Sequence, residues 1–210
     1  MTEKLYFTFV IVARNAGKHL PNAFADFLAQ DFPRDQLEFL FVDSLSDDDS
    51  LALAKEFKTA HKDINFTILT NPNRILASGW NVALQHAKGN ILLRLDAHAR
   101  IPPDFIRLNT ENILKGHFIT GGTLATTLPQ ETWPRFVGLA NSCKFGASSA
   151  PFRKTGNNAE REVKTLAYAA YRREILTRWA DTTNSCPAPK ILKCTGACAK
   201  PDINFTAYQQ

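Results

Sequence analysis

Two acidic residues stand immediately after strand-like apolar runs: Asp43 follows LEFLFV, and Asp96 follows NILLRL. A carboxylate at the carboxyl end of a buried strand is costly to leave without a partner. Two that open into one crevice could accept from a base or ribose hydroxyl, or help hold a divalent cation on a pyrophosphate. Taken singly, each also suits a turn former or helix cap. No GxGxxG follows the first apolar run, and neither GxxxxGK[ST] nor GxSxG occurs. Phosphate chemistry therefore falls to side chains and metal rather than to a glycine-rich loop.

The elements that must carry these residues alternate. Leu5 to Ala13 is a near-continuous apolar, β-branched run, the pattern of a strand buried on both faces of a parallel sheet. Lys18 to Gln30 has helical spacing through Leu20, Ala23, Phe24, Phe27 and Leu28, and the DFPRD turn stops it. Leu37 to Val42 is the second strand. Ser46 is positioned to cap the next helix, with Asp47, Asp48 and Asp49 near its positive end, and that helix runs to about Ala60. Asn65 to Thr70, Ile75 to Ala87 and Asn90 to Leu95 continue the strand, helix, strand order, and a short helix follows Pro102-Pro103. The prediction is an α/β, doubly wound, mostly parallel sheet flanked by helices, with ligand beyond the C-terminal strand ends. Gly121 and Gly122 interrupt a later strand-like run, which suggests close approach by a ligand or another strand. Residues 131–160 mix aromatics with Gly, Ser, Pro and Asn, as a mobile loop over a site would.

The chain has 210 residues, 44% hydrophobic and 21% charged, which suits one compact domain and excludes collagen, disordered tails and disulfide miniproteins. Lys plus Arg is 25 against 20 for Asp plus Glu, so the net +5 favours anionic partners: nucleotides, pyrophosphates or acidic lipid surfaces. No apolar run reaches the ~18 residues needed to cross a bilayer, and the start lacks a signal-peptide cleavage pattern; the chain reads as cytoplasmic. Of its four cysteines, Cys143 stands alone while Cys186, Cys194 and Cys198 crowd the end. Their spacing lacks the paired CxxC of a structural zinc site.

Read in order, VIVARNAGKHL, FVDSLSDDDSLALAKEF and NPNRILASGWNVALQHAKGNILLRLDAHARIPPDFI resemble the nucleotide-sugar-binding half of glycosyltransferase family 2, inverting enzymes of GT-A fold. The nearest pattern is the succinoglycan-biosynthesis type of bacterial polysaccharide transferase, and the resemblance covers about residues 5 to 176. It implies a nucleotide-diphospho-sugar donor, a UDP-sugar in particular, a Mn²⁺ or Mg²⁺ ion, and a glycan or polyprenyl-linked acceptor in surface-polysaccharide synthesis. Nucleic acid is not an implied partner; contact with the inner face of the cell membrane is. By position, Ala13, Arg14 and Asn15 match the loop bordering the nucleotide, Asp43 the carboxylate that recognises the base, and Arg74 the arginine beside base and phosphates. Asn81 matches a structural helix position. Asp96-Ala97-His98 occupies the DXD element, which binds ribose and metal. GGTL, with Gly121 and Gly122, and KFGASSAPFR, with Phe145 and Gly146, match acceptor-side blocks, and VKTLAYAAYRREI a later block of the same branch.

Two departures matter. Ser44 and Leu45 replace the second Asp and the Gly of the common VDDGS block, so Asp43 alone should recognise the base, and DXD has become DXH. In the metal position that the resemblance implies, His98 is a neutral acceptor through one ring nitrogen and a borderline ligand that favours Mn²⁺ over Mg²⁺ more than a carboxylate would, and metal-dependent donor binding should weaken as it protonates. A third departure concerns the base that takes the acceptor's proton. In the family it lies in an ED motif after the block matching YAAYRREI. Here the segment from Ala180 contains no Glu, only Asp181 and Asp202 as acids. If the codons from Ala180 onward are read two bases further along, permitted choices give GYDEQLPRTEDTEMHWRVRKAGYQFYRL, which restores the motif. The expected organisation is thus an incomplete catalytic domain over 1–179, with a nucleotide-sugar-binding half at 1–115 and a partial acceptor half at 116–179. A frameshifted tail at 180–210 would follow, pack poorly and supply no base. The alternatives are a divergent natural C-terminus, a catalytically dead nucleotide-sugar-binding fragment, and a nucleotidyltransferase on a similar sheet. For the last, ARNAGKH supplies only one glycine.

Overall fold

A computed structural model of the protein describes residues 4–122, 133, 136, 161–163, 168–176 and 205–208. The alternation persists throughout the first of these stretches: β1 (Phe7–Ala13), α1 (Leu20–Leu28), β2 (Leu37–Asp43), α2 (Ser50–Ala60), β3 (Phe66–Thr70), α3 (Leu76–His86), β4 (Ile91–Leu95), α4 (Phe105–Leu114) and β5 (Ile119–Gly122). Three further strands, β6 (Arg161–Val163), β7 (Ala169–Arg172) and β8 (Phe205–Tyr208), complete the described sheet, in the order β3-β2-β1-β4-β7-β5-β8-β6. β3, β2, β1 and β4 are mutually parallel. β7 runs against β4 and β5, and β6 against β8.

Packing follows from the pleat. Odd-numbered residues of β1 and β2, Phe7, Phe9, Ile11, Phe39 and Phe41, face α1, α2 and α4 and are fully buried. Most of the aromatic set closes edge to face, as where Phe9 meets Phe27 at 5.3 Å, while Phe24 of α1 stacks on Phe57 of α2 at 4.3 Å. Each such ring contributes about 1.5–3 kcal/mol by leaving water. The opposite face, Val10, Val12, Leu40 and Val42, packs on Trp80 and Ala83 of α3 and on Ile175 and Leu176. Helices on both faces make the sheet doubly wound, as the buried-strand pattern predicts.

Ser46 does not cap α2. The helix starts at Ser50, and Ser46 Oγ instead accepts the Asn15 N–H at 2.9 Å. Asp48 Oδ1 takes the Ser50 N–H at 3.0 Å, so an Asx turn opens the helix and the DDD run belongs to the preceding loop. Gly121 and Gly122 are buried in β5, where they pair with Ala207 and Tyr208 of β8; the close approach is by a strand. Phe145, Gly146, the four cysteines, Asp181 and Asp202 lie outside the described residues, as does all of 131–160 except 133 and 136.

Candidate functional site

Parallel β1, β2, β3 and β4 end at one edge. Ala13 is level with Asp43, and Asp43 with Thr70; Leu95 is level with Ile11, so Asp96 emerges one step below that row. This register brings Ala13, Asp43, Asn71 and Asp96 to the same edge. Asp43 is 4% exposed, and its carboxylate accepts the Ser46 N–H at 3.2 and 3.3 Å. Both contacts are long and off one donor, leaving acceptor capacity for a ligand.

The loops around Asp43 are fastened to each other. Asn15 Oδ1 accepts the Asp47 N–H at 2.8 Å, Arg14 Nη2 meets Asp47 Oδ2 at 3.1 Å, and the Gly17 N–H donates to Asp48 Oδ2 at 2.9 Å. The Asp48 carboxyl is held below its ordinary range, chiefly by the Ser50 hydroxyl against an opposing desolvation, with backbone N–H groups adding smaller contributions. Asn71, fully buried, joins the next two segments: its Nδ2 donates to Ser44 Oγ and the Ile75 carbonyl, both at 2.9 Å, and its Oδ1 accepts from Ser78 at 2.7 Å. Asn15, Leu45 and Arg74 have φ of 53°, 56° and 57°, in the left-handed region. One such residue in each loop after β1, β2 and β3 is local strain concentrated around the crevice. The Arg74 side chain is exposed beside it.

The fourth loop crosses from one face of the sheet to the other. Arg94 lies under Asp96, 3.8 Å from its carboxylate, with the guanidinium carbon 5.8 Å from the Trp80 ring on the α3 side. Burial raises the Tyr171 phenol above its ordinary value, with Arg94 opposing the shift. His98, two residues on, is exposed and reaches the α1 side, where its ring lies 6.3 Å from that of His19. Beyond it, Asp26 of α1 takes Arg100 through Nε and Nη2, both at 2.8 Å, and the Ile101 N–H at 3.0 Å. Gln30 holds Pro102 and Ile106 at 2.9 and 3.2 Å.

Comparison with known proteins decides the affiliation. The sequence profile of Glycosyl transferase family 2 matches residues 8–179. The chain belongs to that family. A curated Methanococcus voltae relative, a dolichyl N-acetyl-α-D-glucosaminyl phosphate 3-β-D-2,3-diacetamido-2,3-dideoxy-β-D-glucuronosyltransferase, is 28% identical over 106 residues, half of this chain and 33% of its own length. The chain thus spans about a third of that family member. Among solved structures, a Pyrobaculum calidifontis mannosyltransferase with GDP-Man and Mn²⁺ superposes with a TM-score of 0.62 at 21% identity, covering 84% of this chain and 47% of that one. S. aureus TarS with UDP-GlcNAc gives 0.60 at 15%, covering 98% and 59%. These likenesses establish the GT-A fold of this family 2 chain.

The family's divalent ion can be tested against the side chains present. Asp96 and His98 offer a carboxylate and an imidazole at the tip of β4, on an exposed loop held from behind by Asp26. Among the described residues no three His, Cys, Asp or Glu side chains converge closely enough to hold an ion unaided. The set suits an ion whose remaining positions are filled by the donor's own oxygens. Among the described residues no helix is long and apolar enough to cross a membrane.

Sequence reading singled out Ala13, Arg14, Asn15, Asp43, Arg74, Asp96 and His98, and these are gathered at one edge. It passed over Asn71, Asp26, Arg94 and His19. Each left a signal: an Asn before Pro in the turn preceding Arg74, an Asp on the apolar face of α1, an Arg inside ILLRL, and a His opening a helix. Gly121 and Gly122 stand beyond β7 in the strand order, two places from β4.

Proposed function

We propose that the protein transfers a sugar, with inversion, from a nucleotide-diphospho-sugar, a UDP-sugar in particular, to a glycan or polyprenyl-linked acceptor in surface-polysaccharide synthesis. The observation that carries this reading is the shared edge of Asp43, Arg74 and Asp96 in a family 2 chain. Asp43 accepts from the base, with Ala13, Arg14 and Asn15 bordering the nucleotide. Arg74 adds positive charge beside the phosphates. Asp96 and His98 are the residues that would hold a Mn²⁺ or Mg²⁺ ion. When bound, that ion neutralises charge on the departing diphosphate. Gly121, Gly122, Phe145 and Gly146 are proposed to border the acceptor.

Relatives support the substrate classes. The structures named above carry GDP-Man with Mn²⁺, or UDP-GlcNAc, and the archaeal relative's name describes a dolichyl-phosphate-linked acceptor. The cytoplasm, at the inner face of the membrane, is the compartment where such an acceptor and a nucleotide donor meet.

A second reading is donor binding without turnover. It is favoured by the segment from Ala180, which has no Glu and only Asp181 and Asp202 as acids. The proposed cause is a shift of reading frame near Ala180. Reading the gene across codons 176 to 186 tests it: an uninterrupted frame whose codons are incompatible with the GYDE and ED peptide refutes the shift. Calorimetry with UDP and GDP, with and without Mn²⁺, tests the donor site, and release of free nucleoside diphosphate from the sugar nucleotide tests turnover. Binding with release supports the transferase, and binding without release the second reading. Absence of binding to either nucleotide removes both.

A further inference from the structure

Arg94 is a charge set in an apolar layer. On the face of the sheet that α3 covers, Val10 of β1 and Ala169 of β7 lie level with it, and Leu92 precedes it on the same face of β4. These residues are buried with Trp80 and Tyr171 in one cluster. The guanidinium is thinly provided for. The Asp96 carboxylate lies 3.8 Å from its Nη2, beyond hydrogen-bond distance, and the Trp80 ring centre lies 5.8 Å from its central carbon. Among the described residues, the buried Arg94 Nε and Trp80 Nε1 have no hydrogen-bond partner. A leucine or methionine at this position would fill the layer without desolvating a charge, so packing does not account for the arginine.

We propose that Arg94 is a positioning residue of the donor site: from beneath the tip of β4, cradled by Trp80 and Tyr171, its guanidinium holds the Asp96 carboxylate and offsets its charge where a diphosphate must enter. This rests on the donor-site reading above and names what sets Asp96 in place. The crevice needs such a charge. Asp43 and Asp96 share one edge, and a diphosphate brought to it meets like charge from both. Arg74 is exposed, so water and salt screen it, whereas the Arg94 side chain is 19% exposed and is screened less.

The support is rigid. β4 is paired with β1 on one side and β7 on the other, so the root of the Arg94 side chain is fixed from both. The guanidinium also stands beside the buried Tyr171 hydroxyl, where it opposes the upward push of burial by charge and by hydrogen bonding. Exposure across the pair is unequal in a way that separates binding from folding. The Asp96 side chain is 33% exposed, so loss of the guanidinium leaves a carboxylate that water can reach rather than a buried orphan. An apolar side chain of similar length in place of Arg94 therefore removes a desolvated charge and an unpartnered N–H, and the fold should not suffer.

The test uses the whole chain, with calorimetry on UDP, and on GDP as a second nucleotide, with and without Mn²⁺, beside thermal melting. Arg94→Met is expected to melt no lower than the wild-type chain and to bind nucleotide about tenfold more weakly. Arg94→Lys, which keeps the charge and loses the planar fork, should fall between the two. Arg107→Met removes an exposed cation on α4 that pairs with Glu111; its affinity should stay within about twofold, which separates position from net charge. Asp96→Asn should also weaken binding, and adding Arg94→Met to it should change affinity by less than about twofold, because the guanidinium acts through the carboxylate. Should Arg94→Met fail to fold, Arg94→Lys carries the same cycle with Asp96→Asn. Unchanged affinity in a folded Arg94 variant overturns the proposal and leaves the donor site standing, and so does a loss equally large with and without the Asp96 carboxylate. Failure of the wild-type chain to bind either nucleotide overturns the donor-site reading itself.

Discussion

Asp26 and Arg100 lie 74 residues apart in sequence and are joined by two hydrogen bonds of 2.8 Å, which fasten the loop beyond β4 to the middle of α1. The pair is lopsided: the Asp26 side chain is 7% exposed, that of Arg100 63%. Removing the arginine leaves a buried carboxylate with the Ile101 N–H alone; removing both leaves no charge to desolvate. Arg100→Ala is therefore expected to cost about 2 kcal/mol, allowing for the exposure of the guanidinium. Asp26→Ala with Arg100→Ala should cost less than the sum of the two single changes. Urea unfolding of the three variants measures the coupling.

Asp43 should matter for binding more than for folding. Its carboxylate has one local backbone donor, the Ser46 N–H at 3.2 and 3.3 Å, so Asp43→Ala should lower nucleotide affinity roughly ten- to a hundredfold, the worth of a charged hydrogen bond. The check is calorimetry with UDP and GDP. Affinity within twofold of the wild-type chain removes Asp43 from base recognition.

Asn71→Ala is expected to affect both. It takes the donor from Ser44 Oγ and one partner each from Ser78 Oγ and the Ile75 carbonyl, which keep their own bond at 2.8 Å, and it frees the segment that holds Arg74 at a φ of 57°. A loss of about 2–3 kcal/mol in stability should accompany weaker nucleotide binding, read by unfolding and by calorimetry on the same preparation. Stability falling alone would make Asn71 a fold residue only.

Gly89→Ala separates the far edge of the sheet from the site. A Cβ there would lie 2.6 Å from the Tyr6 carbonyl oxygen and 2.7 Å from the Thr8 amide, both backbone atoms that cannot turn aside. It would also disturb the buried Glu38, whose Oε1 accepts from Lys88 N–H at 2.6 Å and Gly89 N–H at 3.2 Å. A loss of about 2–3 kcal/mol is expected, with nucleotide affinity in the surviving folded fraction unaltered.

The pH profile of stability has a sign at each end. Asp48 titrates below its ordinary 3.8, chiefly through the Ser50 hydroxyl, so its contribution is present above that pH and is lost as pH falls through the lowered value. Tyr171 is raised above 10.0 by burial, so the folded state keeps a proton the unfolded chain gives up, and stability declines as pH climbs past 10.0. Asp48→Asn should flatten the acid limb and Tyr171→Phe the alkaline limb, followed by thermal melting across pH.

Much of this protein is written locally. LEFLFV and NILLRL are apolar without interruption because parallel strands are covered on both faces, and helical spacing appears between them because each crossover must bury one stripe. That pattern alone settles the α/β class, the order of elements and the edge at which Asp43 and Asp96 emerge. The ordered blocks around Asp43, Arg74 and Asp96 carry the family, and the profile match over 8–179 agrees. Tertiary structure alone decided what no local pattern holds: that Ser46 serves Asn15 and not a helix start, that Gly121 and Gly122 meet β8, that Asn71 ties three segments, and that α1 brings His19 to His98 and Asp26 to Arg100. Most of these are contacts between residues tens of positions apart, Asn71 with Ser44 among them. Their geometry depends on strand order and on how each helix sits on the sheet, and neither quantity leaves a period in the sequence.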